Sequence, residues 1–396
     1  MSKIISYGHQ SIDSKDIDAV EKVLRSDWIT QGPAVEKFEK SLASFVNTKY
    51  CASVSSGTAA LHLACLAAGI GPGDEVIVPT LSFVATANCV LYCGAKPVLV
   101  DVYENTLTIN VEEAEKKINK KTKAIIAVDF AGHPADWNKL KKLAKIYNLI
   151  LIDDASHALG SSYRSKPIGS IADLTTFSFH PVKTITTGEG GAITTNNKKL
   201  HERISRLRHH GIIKSEKSSQ QYGEWYCQID ELGYNFRLTD IQAALGLSQL
   251  KKIGGFIKQR RALWQKYSSA FKNTTGLELP IEQKGYYCAW HIYPIRIEGN
   301  YKRSRKQVFD FLKKAGINVQ VHYIPIHLFN LYKNKFGYKQ SLRSSSFDEL
   351  RTAGLKTGGF PVAETYYKNA LTLPLFVGLK GKDQDYIIRK VKEALI

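Results

Sequence analysis

Three short clusters hold the residues best placed to do chemistry in this chain. The last of them, 175–191, reads TTFSFHPVKTITTGEGG and sets one lysine, Lys183, among aromatic, hydroxyl-bearing and small residues rather than on a charged face. Such surroundings lower an amine's pKa, and a neutral amine can add to a carbonyl to form a Schiff base. Ser178, five positions earlier, offers a second hydroxyl donor, and the glycines let backbone crowd a planar ligand. The first cluster is Ser55-Ser56-Gly57-Thr58-Ala59-Ala60, which runs straight into a helix-like stretch at 61–68. A small-residue turn opening a helix presents unbonded N–H groups and a positive dipole end, a combination that binds phosphate. A simple Ser/Thr N-cap accounts for the same residues.

The middle cluster, 149–160, reads LILIDDASHALG: an apolar strand ends in Asp153 and Asp154, with His157 three residues on. Carboxylates at the C-terminal end of a parallel strand face the crevice where ligands bind. An acidic helix start is the plainer alternative. A metal site is a poor fit, because neighbouring residues on a strand point apart. Taken together, the clusters contain what pyridoxal phosphate requires: a phosphate cup, a lysine for its aldehyde and a carboxylate for its pyridine nitrogen. They supply these in the order Gly57 and Thr58, Asp154, Lys183. Phe83, within 79–88 (PTLSFVATAN), is available to cover the ring.

These motifs resemble the DegT/DnrJ/EryC1/StrS family of sugar aminotransferases, nearly end to end. The resemblance covers 29–39 (ITQGPAVEKFE), 55–61 (SSGTAAL), 82–88 (SFVATAN), 153–161 (DDASHALGS), 177–192 (FSFHPVKTITTGEGGA) and 233–250 (GYNFRLTDIQAALGLSQL). It implies the fold-type I aminotransferase architecture, with pyridoxal phosphate as cofactor and glutamate as amino donor. It further implies that Lys183 is the Schiff-base lysine, that Asp154 pairs with the pyridinium nitrogen and that Phe83 stacks on the ring. His157 is then expected near the cofactor hydroxyl, with Gly57, Thr58 and Ser178 on the phosphate. Asn235 and Arg237 fall in the family stretch that reaches the phosphate from a neighbouring subunit, so a homodimer with shared active sites is expected. Within the family, 320–325 (QVHYIP) and 328–332 (LFNLY) add a likeness to the C4 aminotransferases of pseudaminic acid biosynthesis, which act on a UDP-linked 4-keto-6-deoxy-N-acetyl hexose. Tyr7 and His322 match positions that would face the sugar nucleotide; a core or interface role fits them as well. Amination of another nucleotide keto sugar, at C4 or C3, stays open. Two rivals are a sugar dehydratase on the same scaffold and a regulator without activity. The dehydratases commonly replace the Schiff-base lysine with histidine, whereas this chain has Lys183, and no part of the cofactor site is missing.

The elements that must position these residues follow from hydrophobic periodicity. Apolar runs at 76–79, 97–100, 124–128 and 149–152 read as buried strands, separated by amphipathic stretches such as 111–119 and 137–147. Strands alternating with helices imply a mostly parallel sheet covered on both faces, with turns at Gly71-Pro72-Gly73 and Gly132-His133-Pro134. Beyond 191 the chain turns helical: 238–250 and then a second helix, 259–271. Strand, helix and strand follow at 288–297, 303–315 and 318–323. The division expected is a large cofactor-binding domain over 1–260 and a smaller α+β domain over 261–396.

The charge balance of 55 basic against 36 acidic residues gives +19 at pH 7. The basic residues lie along helix-like stretches such as 116–123 and 251–261, which read as solvated faces, some of them able to attract a sugar nucleotide's diphosphate. No nucleic-acid-binding motif accompanies them. The six cysteines form no CxxC pair and read as buried free thiols. The polar start MSKIISYGHQ lacks a signal-peptide core, and no apolar stretch is long enough for a bilayer. A cytoplasmic protein without membrane partner is the expectation.

Overall fold

The computed structural model describes residues 4–298, 301–338 and 359–396; the first three residues of the polar start lie outside it. Its centre is a seven-stranded sheet. Across the sheet the strands run Tyr50–Val54, Gly191–Thr195, Leu174–Ser178, Ile150–Asp154, Thr122–Val128, Glu75–Pro79 and Lys96–Val100. Pairing is parallel throughout the last five, and only Gly191–Thr195 runs against its neighbours. The apolar runs became strands because helices cover both faces, so that side chains on either side of the pleat are buried. One core gathers Phe38, Leu42, Ile125, Trp137 and Phe177; the other, on the opposite face, gathers Ala60, Leu63, Val78, Ile126 and Ile152.

Register lines up the ends of these strands. Val128 pairs with Asp154, Asp154 with Thr176, Ser178 with Gly191, and Gly191 with Val54. The chemistry-bearing clusters therefore meet at one edge of the sheet although more than a hundred residues separate their ends. Helix Gly57–Ala67 starts at that edge, just after the strand ending at Val54. It is buried on nearly all sides, which its small side chains permit.

The stretch 238–271 forms one 32-residue helix, Asp240–Phe271, where two were expected. Thr239 caps it reciprocally with Gln242. Gly254 and Gly255 do not break it: the space where their side chains would stand is open, and buried Leu250, Ile253, Ile257 and Arg260 carry the inward face past them. Burying each such apolar side chain is worth about 1.5–3 kcal/mol, more than the ~1 kcal/mol that a helical glycine costs. The helix passes from the first core into a smaller C-terminal one, where Tyr267 and Phe271 join Tyr293, Ile295, Val308, Leu312, Leu371 and Ile387. That C-terminal domain has a three-stranded antiparallel sheet, Leu277–Glu278, Tyr293–Ile297 and Ala370–Leu373, with helices Arg305–Lys314 and Gly381–Leu395.

Two expected strands are shorter than their apolar runs. Only Tyr293–Ile297 of 288–297 joins the ladder, because the chain before it turns to the site: the His291 N–H bonds to the Ala131 carbonyl, 3.0 Å away, and His291 lines the cavity. Of 318–323, a single bridge forms, Gln320 to Thr372, before the chain leaves the sheet for the cavity wall at His322 and Tyr323. Five cysteines are buried free thiols as expected, but Cys227 is exposed. It follows exposed Trp225 in the turn between helix Glu216–Tyr222 and the two-residue strand Gln228–Ile229, outside the core, which the apolar spelling of the segment hides. Among the described residues no helix is long and apolar enough to cross a membrane, and no group of side chains is arranged to hold a metal.

Candidate active site

A cavity of about 470 Å³ opens at the C-terminal edge of the sheet, a volume within the usual range of small-molecule sites. Nine residues singled out from the sequence line it: Tyr7, Gly57, Thr58, Phe83, Asp154, His157, Ser178, Lys183 and His322.

At one end stand Gly57 and Thr58, the first two residues of their helix, whose N–H groups have no partner within it. Ser56 caps the same helix by accepting from the Ala59 N–H, so the capping and phosphate readings describe adjacent residues, not rival ones. A Cβ on Gly57 would lie 2.8 Å from the Ser178 Cβ. The cup is thus closed down to a size that only glycine allows.

At the floor, Asp154 is buried at the end of its strand. Thr86 donates its hydroxyl proton to Oδ2 at 2.6 Å, and Ser156 donates its own to Oδ1 at 2.7 Å. Because the single proton of Thr86 is committed to Asp154, the 2.6 Å contact between Ser82 and Thr86 has Ser82 as donor. This relay of hydroxyls fixes the orientation of the carboxylate. Asp153, one residue earlier, points to the other face. There, burial and the charges of Asp129 and Asp154 push its carboxyl well above the usual range.

His157 accepts the Ala131 N–H at its Nδ1, 3.3 Å away. Burial, with Lys183 and His322 nearby, holds its pKa well below that of an ordinary histidine. The neutral ring therefore carries its proton on Nε2, where it donates to the Tyr323 hydroxyl at 3.0 Å. Phe83 is 56% exposed, a large apolar side chain left uncovered beside the cavity. His322 is pushed down to about 4, by burial first and then by Lys183.

Lys183 faces these groups from the turn after strand Leu174–Ser178. Its amine is lowered to about 8 from the ordinary 10.5, by burial first and also by Arg260, against the opposing charge of Asp154. An amine of that kind is neutral in roughly a tenth of molecules at pH 7, far more than a lysine of ordinary pKa, and the neutral form is the one that acts as nucleophile or proton acceptor.

Asn235 and Arg237 lie elsewhere. Arg237 lines a separate pocket of about 360 Å³ with Glu39, Arg208 and His209, and its guanidinium donates to the His209 Nδ1 at 2.7 Å. Asn235 forms a bridge to His209. Sequence reasoning missed Thr86, Ser156, His291 and Tyr323. For Thr86 a signal existed: it stands three residues after Phe83 on one face of a helical pattern. For His291 there was none, since it enters the cavity wall from a run spelled like a strand.

The parts match pyridoxal phosphate in size and in chemistry: a tight cup of free N–H and hydroxyl donors, a buried carboxylate, an exposed aromatic and an amine of lowered pKa. Comparisons with known proteins agree. Residues 10–392 match the DegT/DnrJ/EryC1/StrS aminotransferase family model. The chain is 38% identical over 389 residues to the UDP-4-amino-4,6-dideoxy-N-acetyl-beta-L-altrosamine transaminase of Campylobacter jejuni, covering 97% of this chain and 96% of that protein. Among solved structures it is similar to Helicobacter pylori PseC, an aminotransferase involved in the biosynthesis of pseudoaminic acid, with a TM-score of 0.88, 34% identity and 99% of each chain covered. It is also similar to the PLP-form of the putative sugar aminotransferase Spr1654 from Streptococcus pneumoniae, with a TM-score of 0.87, 32% identity, and 99% and 98% of the two chains covered.

Proposed function

The chain belongs to the DegT/DnrJ/EryC1/StrS aminotransferase family and is a pyridoxal-phosphate-dependent sugar aminotransferase, and from this premise we propose that it aminates C4 of a UDP-linked 4-keto-6-deoxy-N-acetylhexose. Glutamate is the donor, and the product is UDP-4-amino-4,6-dideoxy-N-acetyl-beta-L-altrosamine, as named for the Campylobacter relative. The observation that carries the reading is the convergence of Lys183, Asp154 and the Gly57 cup in one cavity that also reaches Tyr7 and His322.

The cofactor, when bound, supplies an electron sink for the carbanion formed next to nitrogen. Lys183 would hold its aldehyde, Asp154 its pyridine nitrogen, and Gly57, Thr58 and Ser178 its phosphate. Phe83 would cover the ring, and the Nε2–H of His157 would face its hydroxyl. During turnover the Lys183 amine takes the proton from the α-carbon of glutamate and returns one to C4 of the sugar. Glutamate takes up one water and leaves as 2-oxoglutarate, the keto oxygen of the sugar leaves as another, and the two-electron oxidation of glutamate balances the reduction at C4. Tyr7 and His322, neutral at pH 7, border the remaining space as hydrogen-bonding contacts for the sugar. In the homodimer we infer, Asn235 and Arg237 serve the neighbouring subunit's phosphate; their distance from their own chain's cavity favours that reading. The buried free thiols suit a reducing cytoplasm.

Incubating the loaded protein and glutamate with a panel of nucleotide keto sugars tests the substrate. The expected result is a keto-to-amine mass change with the UDP-linked 4-keto-N-acetyl sugar and release of 2-oxoglutarate. Amination of a different sugar at higher kcat/KM would overturn the assignment while leaving the reaction class standing. The hydroxyl relay gives a second expectation. Thr86→Val keeps the volume but removes the donor to Asp154, and the affinity for pyridoxal phosphate should fall roughly 10- to 100-fold in an absorbance titration. Unchanged affinity would mean that Asp154 needs no such support.

A further inference from the structure

Arg260 stands in the middle of the long helix and is 1% exposed. Among the described residues no carboxylate meets it; instead its guanidinium donates to backbone carbonyls from three separate segments. Nη1 reaches the carbonyls of Trp290 at 3.4 Å, His291 at 3.0 Å and Leu375 at 3.2 Å. Nη2 reaches those of Val182 at 3.5 Å and Lys183 at 3.4 Å. Its Nε has no partner among the described residues. A buried cation without an anionic partner carries a large desolvation penalty, and burial lowers Arg260 to about 10. Its neighbours offset that cost only while all three segments hold their carbonyls toward it.

Two of these segments line the cavity and the third backs one of its lining residues. Val182, Lys183 and His291 are in the lining, the tilted rings of His291 and His157 lie with centroids 4.4 Å apart, and the Leu375 N–H bonds to the Tyr7 carbonyl. We propose that Arg260 is a positioning residue for Lys183, clamping the turn that carries it to the His291 loop and to the C-terminal core. This rests on Lys183 being the cofactor lysine. The clamp also sets the local field: Arg260 lowers the Lys183 amine and the His291 ring, whereas Asp154 is the one group that raises Lys183. Burial holds His157, His291 and His322 neutral beside that amine, and Tyr7, His180, Glu189 and Tyr323 are the other titratable groups that line or border the cavity.

Reductive methylation of the full chain freed of cofactor, followed by peptide mapping, gives the pH midpoint of Lys183 alone. Wild type should titrate near 8. Arg260→Gln should raise that midpoint by about one unit, as a nearby positive charge is lost. Arg260→Lys keeps the charge but cannot span three segments. Its midpoint should stay near that of wild type, while kcat in the loaded enzyme falls roughly 10- to 100-fold with KM for glutamate within about threefold. Should Arg260→Gln fail to fold, the kcat of Arg260→Lys decides alone. Wild-type midpoint and kcat in the variants, with only Tm lowered, would make Arg260 a structural residue and overturn the proposal. Borohydride reduction of the loaded wild type reads the premise separately: cofactor found on another lysine sinks the proposed function and leaves the midpoint shift standing.

Discussion

Lys183→Ala should lower the release of 2-oxoglutarate from glutamate by at least about 10³-fold and leave the purified protein without the visible band of lysine-bound cofactor. Two roles are lost together, since the amine would hold the cofactor and carry the proton, so the effect should exceed that of any single hydrogen bond. The side chain borders an open cavity, and its removal leaves space rather than a strained core; Tm should change little. A colourless variant with undiminished activity would end the mechanism. The same amine sets a pH dependence. A lysine acts as nucleophile only when neutral, and here the folded value is about 8 against the ordinary 10.5. Below pH 8 the rate at which the chain captures free pyridoxal phosphate should fall about tenfold per unit; above 8 it should level off. A lysine with an ordinary pKa would instead keep accelerating to pH 10, and stopped-flow absorbance distinguishes the two curves.

Asp154→Asn should cost nearly as much, about 10²- to 10³-fold in kcat, by a different route. The amide is nearly isosteric and can still accept at one oxygen, so one of the Thr86 and Ser156 bonds can survive. What goes is the negative charge that would pair with a protonated ring nitrogen. Because Asp154 is the group that raises the Lys183 amine, its neutralisation should also move the methylation midpoint of Lys183 below 8, opposite in sign to Arg260→Gln. Asp153→Asn, on the other face of the same strand, serves as the control. Its carboxyl is already pushed up by burial, and its replacement should leave that midpoint in place. Equal losses from the two variants would remove the special role given to Asp154.

Much of this molecule is legible in its spelling because parallel strands buried on both faces must be written as continuous apolar runs. Thus 76–79, 97–100 and 124–128 lie inside observed strands. The 11-residue pattern at 137–147 became the helix Trp137–Tyr147, closed by Asn148 in a left-handed conformation. Legibility failed where apolar residues serve a cavity instead of a ladder. His291 and Tyr323 come from stretches with strand composition, and nothing local says that their backbone will turn away from the sheet. It failed too at Gly254 and Gly255, where glycine reads as a break but long-range packing keeps the helix whole.

The sequence by itself determined which chemistry is available: one lysine in apolar company, a carboxylate at a strand end, a small-residue turn opening a helix. Those are local properties, set by side-chain type and by neighbours a few positions away. Only the tertiary structure decided that they meet. Parallel register brings Val128, Asp154 and Ser178 to one edge of the sheet. The C-terminal segments then wall that edge with His322 and Tyr323, and Arg260 joins the lysine turn to two segments that follow it by more than a hundred residues. The lowered amine of Lys183 belongs to this second category. Its causes are burial and the opposed charges of Arg260 and Asp154, which become neighbours only when the chain folds.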